Sequence, residues 1–309
     1  MNTPPEVRAG VADVDCTGTR ALVTGSTSGI GRAAAVALGR LGATVIVHGR
    51  DRGAGAAVVD ELDDVGADAT FVGADFADRD AVRNLAAVVR DETDGLDLLL
   101  NNAGGFFREG RLTDLGVERT FHVNHLSPFL LTAELLDHLR EGARVVTTAS
   151  AAHRGAELDL DRVRSVDRFS GTWAYSHSKL ANVLFAAELA RRLSAADRGV
   201  TSNSLHPGAI PGSGFSRFLP GPIPDLVRLL DSVPGVTSVA DGAAALLFLG
   251  VSPRPAGVSG RYFPGREPDT HSDAARSPDA ARPLWERSAG QPDADEPTGD
   301  AAGTHQAVR

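Results

Sequence analysis

The chain has 309 residues, 42% of them hydrophobic, and a formal net charge of −9. That composition supports a substantial core, in one large domain or two ordinary ones, and the acidic balance argues against a general nucleic-acid or anionic-membrane surface. Cys16 is the single cysteine, which excludes an internal disulfide and a thiolate cluster and suits a reducing compartment.

Residues 1–18 read as a poorly patterned lead-in, with acids and prolines where a signal peptide needs a basic end and an apolar core. No apolar run approaches the ~18–20 residues of a membrane span, so a cytoplasmic protein without a membrane anchor is expected. From Arg20, "ALVTG" is followed by a helical "GIGRAAAVALGRLGA", then "TVIVHGR", "AGAAVVDELDDVGA", "ATFVGAD", "DAVRNLAAVVRDE" and "LDLLLNNAG". A long helical stretch near 117–139, the run "ARVVTTAS", a helix over 173–193, "VTSNSLHPG", a helix in "VADGAAALLFLG" and "GRYF" complete the series. Short β-rich runs apolar on both faces, separated by helices, predict an α/β fold: one doubly wound parallel sheet of about seven strands with helices on both faces. The predicted domain spans 19–290. Its Pro- and Gly-dense stretch at about 208–236 carries Phe215, Phe218, Leu219, Leu229 and Leu230 and reads as a substrate loop. "AARPLWERSAG" predicts a terminal helix docking through Leu284 and Trp285, and 291–309 lacks core residues and is expected to be disordered.

Gly25, Gly29 and Gly31 stand where the first strand turns into a helix. Glycine lets the backbone approach a pyrophosphate, and the helix N-terminus offers unpaired N–H groups and a positive dipole end to that anion. The spacing, strand and helix together predict a dinucleotide site. After the second strand, "VIVHGRDR" places Arg50 where a carboxylate would select a free ribose 2′-OH. A guanidinium suits a 2′-phosphate, so NADP(H) is preferred; Asp51 keeps NAD(H) as the alternative, and Arg50 could instead be a solvated residue pairing with Asp51.

Of the 31 Lys and Arg residues only Lys179 is lysine, and it follows Tyr175, one of two tyrosines, by one helical turn. That spacing puts both on one helix face. A carbonyl reduction needs a proton and the reverse reaction a base, but a phenol of pKa about 10 serves poorly at neutral pH. A nearby ammonium favours phenolate, and lysine's compact charge suits this better than a guanidinium fork. Ser150, at the end of "RVVTTAS", can donate to a developing alkoxide, with Thr147 and Thr148 as neighbouring alternatives.

"TGSTSGIG" at 24–31, "NNAG" at 101–104, Asn124 in "HVNHL", Ser150 in "TTAS", "YSHSK" at 175–179 and "HPG" at 206–208 occur in the order found in the short-chain dehydrogenase/reductase family. Over about 19–265 the chain resembles that family, and "VNHLSPFLLTAELL", "YSHSKLANVLFAAELARRL" and "SNSLHPG" resemble its retinol-dehydrogenase-like branch. The resemblance implies a Rossmann fold and a carbonyl–alcohol oxidoreductase with Asn124, Ser150, Tyr175 and Lys179 as the catalytic set. It assigns Asn124 to a water held in a proton relay to the lysine, although from sequence that residue could equally be a mid-helix polar group. It implies cofactor contacts from Gly25, Ser28, Gly29, Ile30, Gly31, Arg50, Asp75, Phe76, Asn102, Ala103, Gly104, Tyr175, Lys179, Pro207 and Gly208. Asp75 would receive the adenine, or else be a surface-turn acid.

The substrate is expected to be a small lipophilic carbonyl or alcohol, retinoid-like or a secondary-metabolism ketone. A dinucleotide-binding sensor without turnover is the other reading. Family members often form homo-oligomers, though the extra C-terminal segment could block such an interface. The branch usually carries a threonine after "PG"; here Gly212 and Ser213 stand instead. The stretch between Ser150 and Tyr175 is longer than in most of the family and is expected to border the substrate cleft. His122 and His125 sit one turn apart, but no third ligand is evident and no metal is expected.

Overall fold

Seven short runs become strands: β1 (Arg20–Val23), β2 (Thr44–Gly49), β3 (Ala69–Gly73), β4 (Leu96–Asn101), β5 (Leu139–Thr148), β6 (Thr201–Leu205) and β7 (Tyr262–Phe263). All pairings are parallel, in the order β3-β2-β1-β4-β5-β6-β7. The structure is a computed structural model and describes residues 3–208, 237–269 and 277–290. Most of the expected substrate loop, with Gly212 and Ser213, and the 291–309 tail lie outside the described residues.

Helices α1 (Pro5–Ala9), α2 (Gly29–Arg40), α3 (Arg52–Asp63), α4 (Arg79–Glu92), α5 (Arg119–Phe121), α6 (Ser127–Leu135), α7 (Gly171–Ala195), α8 (Val239–Val251) and α9 (Pro278–Ala289) connect or flank the strands. The alternation of side chains along each strand divides them between two helix layers. Ala21 and Val23 of β1 and Leu98 and Leu100 of β4 pack with α2, α3 and α8. Leu22 and Leu99, one residue out of step, pack on the other face with α4, α6 and α7. A third apolar cluster joins α7 and α9 to the stretch between Ser150 and Tyr175.

The lead-in is part of this packing, a correction to its reading as unpatterned. Pro5 opens a one-turn helix that Gly10 ends with φ 69°, and Ala9, Val11 and Cys16 are buried in the α2–α8 layer. Arg8 pairs with Asp241 at 2.6 Å, and Asp241 closes the capping box of α8 with Ser238. Five residues are too few to show a helical period, so the sequence hid this element.

The long helical stretch also departs from expectation. Between α5 and α6 the segment His122–Leu126 is a π-helix, one wide turn that carries Asn124. Such turns re-aim side chains and often occur at functional sites. At the chain's end, α9 lies on α6 and α7 as predicted: Leu284 is buried, and Trp285 meets Phe129 edge-on with centroids 4.9 Å apart.

Candidate active site

The expected site residues gather along one edge of the sheet, after the carboxyl ends of consecutive strands. Gly25 follows β1, Arg50 β2, Asp75 β3, Asn102 to Gly104 β4, Ser150 β5, and Pro207 and Gly208 β6. This is where open α/β sheets bind ligands.

At β1 the backbone enters the glycine loop against β4. Gly25 has φ 66°, and a Cβ there would lie 2.9 Å from Ala103 Cα; a Cβ on Gly31 would lie 2.4 Å from the Gly25 oxygen. Gly29 differs, with φ 56° and no atom within 4 Å of its Cβ position, so the start of α2 faces open space. Asp51 and Asp78 cap α3 and α4 with their carboxylates, but exposed Ser28 makes no side-chain cap bond at α2. The first N–H groups of α2 are therefore available to an anion, as a pyrophosphate site requires. Half-buried Ile30 packs against the core below them. Gly31→Ala is expected to abolish measurable dinucleotide binding or the fold itself, because the added methyl meets backbone, and fluorescence titration with thermal unfolding would distinguish the two.

Several expected cofactor residues are occupied differently from the sequence reading. Asn102 Nδ2 donates to Thr24 O at 2.9 Å, and Thr24 Oγ1 accepts from the Asn102 and Ala103 N–H groups, so this pair braces the glycine loop. Phe76 is 3% exposed and stacked on His48, so its ring serves packing and only its backbone is left for a ligand. Arg50 pairs with Asp75 at 3.7 Å, and not with Asp51. Asp51 accepts from Ala54 N–H as the cap of α3.

Ser150, Tyr175 and Lys179 come together. The Ser150 hydroxyl lies near enough to the Tyr175 phenol to lower its pKa, and Lys179 Nζ lies 5.6 Å from the centre of that ring. Burial raises the phenol above its ordinary pKa, and the neighbouring Ser150 hydroxyl opposes the shift. The expected lowering by lysine is not visible in the protein alone, because the ammonium is turned to the Thr148 carbonyl at 3.0 Å. Lys179 is 3% exposed, and burial pulls its pKa down to about 8. Thr148 O also accepts from Asn182 Nδ2 at 3.1 Å. Thr147 and Thr148 stay in β5, whereas Ser150 caps the short turn after it and accepts from Ala152 N–H.

Asn124 sits beside this group, but its amide is engaged with protein. Oδ1 accepts from Gly105 N–H at 2.8 Å, while Nδ2 donates to Gly105 O at 2.9 Å and to Ser178 Oγ at 3.0 Å. With both amide hydrogens used, holding a relay water does not fall to this side chain's donors; it clamps the loop after β4 to α7. A Cβ on Gly104 would come within 2.9 Å of Asn124 Oδ1 and 3.6 Å of Lys179 Nζ, so glycine is required for that approach.

Sequence reasoning missed Phe106, whose ring lies 5.8 Å from that of Tyr175, and it assigned no role to His153 and His177. His153 Nδ1 donates to Ser150 O at 2.6 Å, and buried His177 accepts from Asp159 N–H at 2.9 Å through Nε2. With Arg162 over Trp173 at 4.0 Å, that bond fixes the stretch before Tyr175 to α7. His122 and His125 are bonded to Thr113 Oγ1 and Ser288 Oγ respectively, so each has a structural partner.

A short chain dehydrogenase family model matches residues 19–217. Retinol dehydrogenase 14 of Mus musculus is 36% identical over 286 residues, 87% of this chain and 84% of that protein. A short-chain dehydrogenase from Burkholderia cenocepacia, solved in complex with NADP, superposes with a TM-score of 0.64 at 30% identity, covering 84% of this chain and 99% of the other. The promiscuous reductase LugOII, which catalyses keto-reduction at C1 during lugdunomycin biosynthesis, gives a TM-score of 0.64 at 30% identity, covering 81% and 96%. No described helix is long and apolar enough to cross a membrane. The chain belongs to the short-chain dehydrogenase/reductase family, in its retinol-dehydrogenase-like branch, and is an oxidoreductase of the CH–OH/carbonyl type that uses a nicotinamide dinucleotide.

Proposed function

We propose that this enzyme is an NADP(H)-preferring oxidoreductase that interconverts a lipophilic aldehyde or ketone and its alcohol. The observation that carries the reading is the Lys179 ammonium held at the Thr148 carbonyl 5.6 Å from the centre of the Tyr175 ring, with the Ser150 hydroxyl near enough to the phenol to lower its pKa. Tyr175 Oη delivers the proton to the carbonyl oxygen in reduction and removes it from the alcohol in oxidation. Ser150 Oγ donates to the same substrate oxygen as charge develops there. Lys179 holds a positive charge below the phenol, and Asn124 keeps Gly105 and Ser178 in place around it. The dinucleotide, when bound, supplies or accepts the hydride; the Gly25–Gly31 loop, Arg50, Asp75 and the backbone at Asn102–Gly104 and Pro207–Gly208 hold it.

The NADP(H) preference is supported by Arg50, whose side chain is 70% exposed at the end of β2. Its partner Asp75 is distant and solvated, and such a pair yields readily to a phosphate that can bind bidentately. Asp51 is already committed to its cap. A lipophilic substrate is supported by Phe106 beside Tyr175 and by the likeness to a retinol dehydrogenase. The likeness to LugOII favours a second reading, a polycyclic ketone of secondary metabolism. Both are tested by following NADPH and NADH consumption over a panel of retinoid-like aldehydes, aliphatic aldehydes and aromatic ketones. NADPH is expected to be the better cofactor by about tenfold or more, and Arg50→Ser to remove that advantage. Tighter NADH binding by the unaltered enzyme would refute the reading of Arg50, and absence of turnover on every carbonyl would refute the substrate reading.

A further inference from the structure

We propose that His48 is a positioning residue for the dinucleotide, a neutral ring that ties the start of the glycine loop to the loop after β3. The inference rests on the dinucleotide reading above and adds to it a residue that touches neither substrate nor reacting atoms.

His48 is next to last in β2 and 2% exposed. Its Nδ1 accepts from Gly25 N–H at 3.2 Å, and its Nε2 donates to Ala74 O at 3.2 Å. The ring is also stacked on Phe76, with centroids 4.6 Å apart and planes 27° apart. Its backbone N–H donates to Ser26 Oγ at 2.9 Å, and its carbonyl accepts from Ser26 N–H at 2.8 Å. Other residues could make the backbone bonds. The ring bonds need an acceptor and a donor on opposite sides of one planar side chain, which neutral imidazole provides. Because Nδ1 must accept from an N–H, the tautomer is Nε2–H. Burial holds the ring's pKa at about 4, so it stays neutral at physiological pH.

The two partners belong to two different parts of the proposed dinucleotide site. Gly25 opens the loop whose helix would hold the pyrophosphate, and Ala74 immediately precedes Asp75, which pairs with Arg50. A ring bonded to both fixes the distance between them. The proposed chemical group lies on the far side of β1 and β4, at the end of β5. Loss of the ring should therefore weaken dinucleotide binding and spare the chemical step.

The test uses His48→Phe, which keeps the ring and its stack on Phe76 but removes both hydrogen bonds, and His48→Gln, whose amide can keep part of them. NADPH affinity is measured directly by calorimetry, alongside kcat at saturating NADPH and KM for the carbonyl. His48→Phe is expected to raise the NADPH Kd about tenfold and His48→Gln about threefold, with kcat and carbonyl KM within about twofold of the parent. Should His48→Phe not fold, His48→Gln alone carries the same reading. An NADPH Kd within about twofold of the parent in the folded variants, or kcat falling in step with affinity, overturns the inference. A parent enzyme that binds neither NADPH nor NADH would instead overturn the dinucleotide reading, and this inference with it.

Discussion

Tyr175→Phe is expected to cut carbonyl reduction by about 10²–10⁴-fold while leaving NADPH affinity and thermal stability nearly unchanged. The substitution removes one oxygen. The ring stays beside Phe106 and over the Lys179 ammonium, so the packing around it persists. The Ser150 hydroxyl keeps its bond from Ala152 N–H. What disappears is the phenol oxygen proposed to give and take the proton at the substrate. The pH profile gives a second readout. Reduction uses the protonated phenol, so its rate falls as pH rises through the Tyr175 pKa; oxidation uses phenolate, so its rate rises through the same pKa. Burial has moved that pKa upward in the protein alone. Both limbs should vanish in the variant. A Phe enzyme with parental turnover, or one that keeps the limbs, would show that the proton travels by another route.

The fold and the Tyr–Lys pair were legible because both rest on local periodicity. The run "ALV" leaves no polar face, which requires helices on both sides, and one helical turn brings residues 175 and 179 together whatever surrounds them. The features that escaped depend on contacts between distant segments. His48 reads as an ordinary strand-end residue, and nothing near it in sequence announces Gly25 and Ala74 as ring partners. The π-turn at Asn124 is a change of register that no residue type demands, yet it accompanies an amide that grips Gly105 and Ser178. Phe76 and Asn102 were placed at the correct strand ends, but burial and the Thr24 contacts decide which of their atoms remain for a ligand. Sequence placed the candidate residues at their strand ends; packing decides which of their atoms can meet a ligand.

Lys179→Met should separate stability from function most sharply. The folded lysine has a pKa of about 8 against 10.5 for an unperturbed side chain. Between those values the unfolded chain binds more protons than the native one, so native stability rises with pH across that window. Below about 8 the full cost of the buried ammonium is present, on the order of 3 kcal/mol. Methionine removes the charge and nearly matches the volume, and Thr148 O keeps its bond from Asn182, so no buried acceptor is orphaned. The variant should therefore be more stable than the parent at pH 7 in denaturant titrations, with the gap closing as pH approaches 10. Cys16, whose pKa burial raises and whose charged neighbours are Asp15 and Arg144, contributes equally in both proteins and cancels in the difference. Activity should fall by about 10²-fold or more, since the phenol loses its charged neighbour. Lys179→Arg keeps the charge but not the size. Lys179 is 3% exposed, and a guanidinium needs more room than its ammonium, so this variant should lose both stability and activity. A parent whose stability difference from Lys179→Met stays constant from pH 7 to 10 would show that the buried ammonium carries no such cost. The predicted divergence explains why a chain with 30 arginines keeps a lysine at this one position: the site needs a charge small enough to bury, at an expense to the fold that only function justifies.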